Sequence, residues 1–193
     1  MDKIKNIIQA SIRVKEQILL NKELLQIVQT IADELVKTLK AGRRIYFCGN
    51  GGSAADAQHL AAEFSGRFYT DRIALPAEAL HCNTSYLTAV ANDYSYDVVY
   101  ARLVQGITQA GDCLVGLSTS GNSVNIIKAF EVAKEKKVMT VAFTGESGGK
   151  LRTLSNYLVN VPSSDTPRIQ ESHILLGHII CQIVEEEYFK TAG

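Results

Sequence analysis

Between Arg44 and Arg67 the chain reads RIYFCGNGGSAADAQHLAAEFSGR, and two kinds of chemistry meet in it. The first is anion binding. Arg44 to Cys48 reads as a buried strand, broken by Gly49-Asn50-Gly51-Gly52-Ser53, and an alanine-rich helical run follows without Gly or Pro until Gly66. Glycines let the backbone approach a ligand, and the first N–H groups and the dipole of the following helix favour negative charge. Ser53 is expected to cap that helix, with Asp56 completing an approximate capping box. The second is acid/base or metal chemistry. His59 and Glu63 are spaced i, i+4, so both leave one helix face about a turn apart.

A second loop, Ser118-Thr119-Ser120-Gly121-Asn122-Ser123, also follows an apolar strand, with Ser123 as the expected N-cap of the next helix. Hydroxyls and amides without lysine suit a phosphate monoester held by neutral hydrogen bonds and a helix dipole. Further on, Gln170 and His178 are eight residues apart in an apolar helix, about 80° around it, and two polar groups so embedded need partners. Each feature has a plainer reading: a polar turn, a solvated surface pair, a satisfied core histidine. His81 and His173 take that structural reading, and Asn92-Asp93 is either a turn or a clamp for sugar hydroxyls. Gly49-x-Gly51-x-x-Ala54 also fits a dinucleotide fingerprint, but Glu78 stands near the start of the next strand and the serine loop has no role there.

The elements that must position these residues follow from periodicity. Residues 3–40 carry two amphipathic helical patterns that end at Gly42. They are expected to form an oligomerisation arm, the alternative being that they cover the sheet. Apolar strands at 44–48, 78–82, 113–118, 138–143 and 157–161 alternate with helices at 54–65, 84–91, 97–108, 123–136 and 149–155. That pattern predicts an α/β fold, a five-stranded parallel sheet with helices on both faces, and ligands outside the carboxyl ends of the strands. A final helix from Arg168 to Tyr188 is apolar over so much of its surface that it must be buried. One domain is expected over 1–193, with 1–42 as arm and 43–193 as core.

Twenty basic and twenty acidic residues cancel, so no overall field draws in nucleic acid or an anionic membrane. No apolar run approaches a membrane span, and the amphipathic N-terminus has no secretory core. Cys48, Cys82, Cys113 and Cys181 are widely spaced singles without metal or disulfide spacing. A cytoplasmic protein with reduced thiols is expected.

CGNGGSAADAQH, Ala91-Asn92-Asp93-Tyr94, STSGNS, Thr144-Gly145 with Gly148-Gly149, and Arg168-Ile169-Gln170-Glu171 resemble, in order, the motifs of sugar-isomerase (SIS) domains. More narrowly, they resemble those of the phosphoheptose isomerase family, over nearly the whole chain. The resemblance implies a flavodoxin- or Rossmann-like three-layer fold and a homotetramer with a central helical bundle and sites at subunit interfaces. It implies conversion of D-sedoheptulose 7-phosphate to D-glycero-D-manno-heptose 7-phosphate through an enediol, the first step of bacterial ADP- or GDP-heptose biosynthesis, toward lipopolysaccharide or another surface glycan. Carried over by motif, Asn50, Gly51, Gly52, Ser53, Asn92, Asp93 and Gln170 would contact substrate, with Ser118, Thr119, Ser120 and Ser123 on its phosphate. Glu63 would be the base and His178 its acid/base partner. His59, Glu63, Gln170 and His178 match the positions through which some members bind zinc. Asn83 stands where the family pattern has Asp, which with the nearby Glu78 leaves substrate orientation open.

The chemistry of the residues agrees with such a role. Moving a proton between adjacent carbons needs a carboxylate base, a proton donor near the oxygens and optionally a Lewis acid. Non-catalytic SIS proteins that bind the bacterial replication initiator share the two loops but lack the catalytic pair; Glu63 and His178 separate the two readings.

Overall fold

The computed structural model describes residues 1–190; the last three positions of the unit expected over 1–193 lie outside the described residues. The order is α1 (Asp2–Leu20), α2 (Lys22–Lys40), β1 (Ile45–Gly49), α3 (Gly52–Ser65), β2 (Ala77–Ala79), α4 (Thr84–Asp93), a 3-10 turn (Tyr96–Val98), α5 (Val99–Ile107), β3 (Cys113–Leu117), α6 (Val124–Glu135), β4 (Met139–Thr144), α7 (Leu151–Leu154), β5 (Tyr157–Asn160) and α8 (Thr166–Phe189). All strand pairs are parallel, in the order β2-β1-β3-β4-β5.

Alternation along the strands divides the core in two. Ile45, Phe47, Val115, Leu117, Val141 and Phe143 face a layer made by α2, α3 and α8. Tyr46, Cys48, Leu114 and Ala142 face α5 and α6 through Val104, Ile126 and Phe130. The five-stranded, three-layer expectation therefore holds. Cys48, Cys113 and Cys181 are buried thiols, and Cys82 is exposed. Among the described residues no helix is long and apolar enough to cross a membrane.

The two leading helices differ in how far they are buried. In α2, Leu24, Val28, Ile31, Leu35 and Leu39 are buried against the sheet. In α1 only Val14 and Ile18 are buried, and Ile4, at 64% exposure, begins an uncovered row with Ile7, Ile8 and Ile12.

Several boundaries differ from the expectation. The strand expected at 78–82 is only three residues long, because the chain turns at Leu80–Cys82 so that Asn83 can cap α4, its Oδ1 accepting the Tyr86 N–H at 3.0 Å. The single helix expected at 97–108 is split by a 3-10 turn that starts at Tyr96, where Ser95 Oγ accepts the Asp97 N–H. The helix expected at 149–155 shrinks to four residues.

His173 occupies the core side of α8, as its structural reading requires. Its Nε2–H donates to the Thr144 carbonyl at 3.1 Å, its ring stands edge-on to Phe143, and Nδ1 has no partner. Burial pulls its pKa down to about 4. The folded state thus keeps it neutral while the unfolded chain protonates near the ordinary value of 6.5. Its contribution is full above that value and is lost as pH falls toward 4. Urea unfolding across this window should show a decline of about 3 kcal/mol from this group. His173→Leu should remove that pH dependence while lowering stability at pH 7.5; an unchanged slope between pH 6.5 and 4 would refute the assignment.

Candidate active site

The loops after β1, β3, β4 and β5 share the carboxyl edge of the sheet. In the order β2-β1-β3-β4-β5 the direction of strand succession reverses between β1 and β3, where open α/β sheets bind ligands. The Gly-rich loop follows one of these strands and the serine loop the other.

At the first loop, Gly51 is the N-cap of α3 with φ 56° and ψ −123°, a backbone region closed to other residues. The cap expected from Ser53 does not form. Ser53 is the buried second residue of the helix, no side chain caps that end, and Asp56 keeps one buried oxygen unpartnered. The helix starts two residues earlier than the pattern implied, and the Ser53 and Ala54 amides bond to the Asn50 and Gly51 carbonyls of the turn. Asn50 does not stand free for a ligand. It exchanges two hydrogen bonds with Asn125, at 3.0 and 2.9 Å, and its Oδ1 also accepts from the Tyr96 hydroxyl at 3.1 Å. Tyr100 Oη donates to the Gly49 carbonyl beneath the same turn. Asn125, Tyr96 and Tyr100 were missed by sequence reasoning. Asn125 in the motif STSGNSVN was the only signal available, and its first-turn helix position suggested no partner 75 residues away.

In the serine loop, Ser123 is the N-cap of α6, as expected, yet its hydroxyl makes no capping bond. It faces the buried Ser118 hydroxyl at 2.9 Å, so the two Oγ atoms stand together at the open helix end. Ser120 Oγ accepts the Asn122 N–H, which shapes the tip of the loop. Thr119 and Ser120 line a cleft of about 270 Å³ whose far wall is Glu146, Ser163 and Ser164.

The remaining residues come from α3 and α8. Gln170 lies against the first loop: a Cβ on Gly52 would stand 2.8 Å from its Nε2. About two turns further along each helix, His59 Nε2 lies 2.9 Å from His178 Nε2 and 3.1 Å from Glu63 Oε1. One ligand atom from each of His59, Glu63 and His178 falls within 4.8 Å of the others. Two imidazole nitrogens and a carboxylate at such separations fit a small divalent cation such as zinc. Burial lowers the His178 pKa and His59 lowers it further, against an opposing pull from Glu63. His178 is therefore neutral near pH 7 and can give or take a proton.

Asn92 and Asp93 end α4, exposed and hydrogen-bonded to each other at 3.0 Å. They bond to no other candidate residue among the described residues. Asn83 performs the capping an Asp would perform equally well. Glu78 pairs in register with Tyr46 midway along β2 and shares a cleft with Arg44, away from the loops. No acid thus ends β2, which leaves the dinucleotide fingerprint without its ribose partner.

The family profile of the SIS domain matches residues 8–145. The phosphoheptose isomerase of Aneurinibacillus thermoaerophilus is 52% identical over 190 residues, covering 98% of this chain and 96% of its own. The chain belongs to the phosphoheptose isomerase family. Solved phosphoheptose isomerases superpose on nearly all of it. That of Neisseria gonorrhoeae gives a TM-score of 0.90 at 41% identity, covering 96% of this chain and 98% of its own. That of Francisella tularensis gives 0.91 at 34% identity, covering 96% and 97%.

The Asn50–Asn125 pair generates a test within this phosphoheptose isomerase fold. Either Asn→Ala change leaves a partly buried amide unpaired and should cost about 1–3 kcal/mol. The double variant should cost clearly less than the sum, because both singles break the same contact. Strict additivity in chemical unfolding would mean the two side chains act independently.

Proposed function

We propose that the protein is a sedoheptulose 7-phosphate isomerase, interconverting this ketose and D-glycero-D-manno-heptose 7-phosphate at the entrance to bacterial heptose nucleotide biosynthesis. The observation that carries the reading is the convergence of Glu63, His59 and His178 on two helices whose N-terminal ends meet at the glycine loop, which Asn50 and Asn125 join to the serine loop. Seven residues of α3, from Gly52 to His59, rise about 10 Å. That spacing sets the reacting carbons about two turns from the crevice in which the serine loop would receive the phosphate.

In this reading Ser118, Thr119, Ser120 and Ser123, with the open amides of α6, hold the phosphate. Gly51, Gly52, Ser53 and Gln170 border the sugar, with Asn92 and Asp93 on its hydroxyls, while Asn50 shapes the loop through Asn125. Glu63 takes a proton from C1 as His178 gives one to the C2 oxygen, forming the cis-enediol. His178 then takes the proton from the C1 oxygen and Glu63 returns one to C2, completing the aldose. His59, Glu63, Gln170 and His178 would hold zinc, which when bound polarises the sugar oxygens.

Conversion of sedoheptulose 7-phosphate is the direct test. Glu63→Gln keeps the size of the side chain, removes the base and should lower kcat by about 10²–10⁴-fold, with substrate binding retained because the serine loop is untouched. Zinc content, read by elemental analysis, should fall in the same variant. Turnover in heavy water should place deuterium at C2 of the product. A Glu63→Gln protein with near-normal turnover would hand catalysis to another residue.

The uncovered row Ile4, Ile7, Ile8 and Ile12 on α1, with Leu175 and Ile179 exposed on α8, supports a homotetramer built on these helices. Sedimentation at micromolar concentration should give roughly four times 21.1 kDa. A monomer there would refute the assembly without touching the reaction.

A further inference from the structure

Eleven residues with no regular secondary structure, 66–76, connect α3 to β2, and their path is set by one buried ion pair. Glu185, two turns beyond His178 on α8, accepts the N–H groups of Phe68, Tyr69 and Thr70 at 3.1, 2.8 and 2.9 Å. Its Oε2 also accepts Arg72 Nε at 2.8 Å, and both side chains are 5% exposed. The Arg72 guanidinium turns its other nitrogens onto the end of α3. Nη2 donates to the Glu63 carbonyl at 2.8 Å, and Nη1 lies within reach of the Phe64, Gly66 and Ile73 carbonyls. A cation at a helix C-terminus is favourable, and the fork satisfies carbonyls that the helix leaves open. Burial pushes the Glu185 pKa up, but the three amides and Arg72 outweigh it and hold the carboxyl at about 2.

Such a pair is a weak source of stability, since apolar side chains of similar volume often do as well. What it supplies here is placement. It ties the backbone of Glu63 to the helix that carries His178, and the amides it holds set Phe68 5.7 Å from the His178 ring. Between these points the helices touch closely, a Cβ on Gly177 falling 2.6 Å from Leu60.

We propose that Glu185 and Arg72 are positioning residues that set Glu63 and His178 in their working relation, with Phe68 as the contact that reaches the imidazole. The inference rests on the acid/base roles given above to those two side chains.

The full-length protein is assayed with sedoheptulose 7-phosphate as wild type, Glu185→Gln, Arg72→Lys, Phe68→Leu and Asn156→Ala. The last is a stability control that removes the acceptor of Thr140 at the start of β4. Glu185→Gln and Phe68→Leu should each lower kcat by about 10- to 100-fold while KM stays within about threefold, because the serine loop is untouched. Arg72→Lys should fail to restore turnover, since an ammonium cannot span the same carbonyls and carboxylate. Asn156→Ala should lose melting temperature without losing kcat. The His178 ring proton resonances, read in histidine-labelled protein, should move in Glu185→Gln while those of His81 stay. The inference is overturned by a folded Glu185→Gln protein with kcat within twofold of wild type, or by kcat falling with melting temperature in Asn156→Ala as well. If Glu185→Gln does not fold, Phe68→Leu decides, and near-normal turnover there overturns it. A wild type inactive on sedoheptulose 7-phosphate would count against the reaction; the His178 resonances would then judge the pair alone.

Discussion

The contact on which the site depends is the side-by-side packing of α3 and α8. The two helices run in the same direction and meet at successive rungs: Gly52 with Gln170, Leu60 with Gly177, His59 with His178. Small residues at the first two rungs let the axes come close, and that closeness brings two imidazole nitrogens to 2.9 Å across 119 residues of chain. Without it His59 and Glu63 would be an ordinary pair on a helix surface, and His178 a polar residue in an apolar helix.

The sheet supplies the other half of the arrangement. Parallel strands put the N-termini of the helices that directly follow them on one edge, and the reversal between β1 and β3 opens a crevice where two such ends lie side by side. Reciprocal amide bonds between Asn50 and Asn125 join the two loops there. A side chain that sequence reasoning gave to the ligand thus builds the wall of the site, beside which the Val124 and Asn125 amides at the start of α6 make no backbone bond. Neutral donors and helix dipoles suit an anion without a lysine.

The departures from expectation share one cause. Caps and element ends depend on where the chain must go next, which local propensity does not record. Ser53 is placed by sequence to cap α3, yet the left-handed turn at Gly51 starts the helix a residue before it. Ser123 occupies the cap position of α6 but bonds to Ser118, because β3 brings that hydroxyl within reach. β2 ends early because α4 must start at Asn83.

The alternation of strands and helices, the two loops at one sheet edge, the single face shared by His59 and Glu63, and the near alignment of Gln170 with His178 are all written in the order of residues. All of these are periodic or local: two residues per strand repeat, 3.6 per helical turn, glycine and serine where strands end. The fold class and family were therefore legible before any coordinate. That α3 lies against α8, that Asn50 answers Asn125 and Tyr96, and that Glu185 and Arg72 hold the end of α3 emerges from the packed chain alone. Each of these joins elements far apart in the chain. Their partners are chosen by which faces become buried together, and no spacing along the sequence encodes that choice.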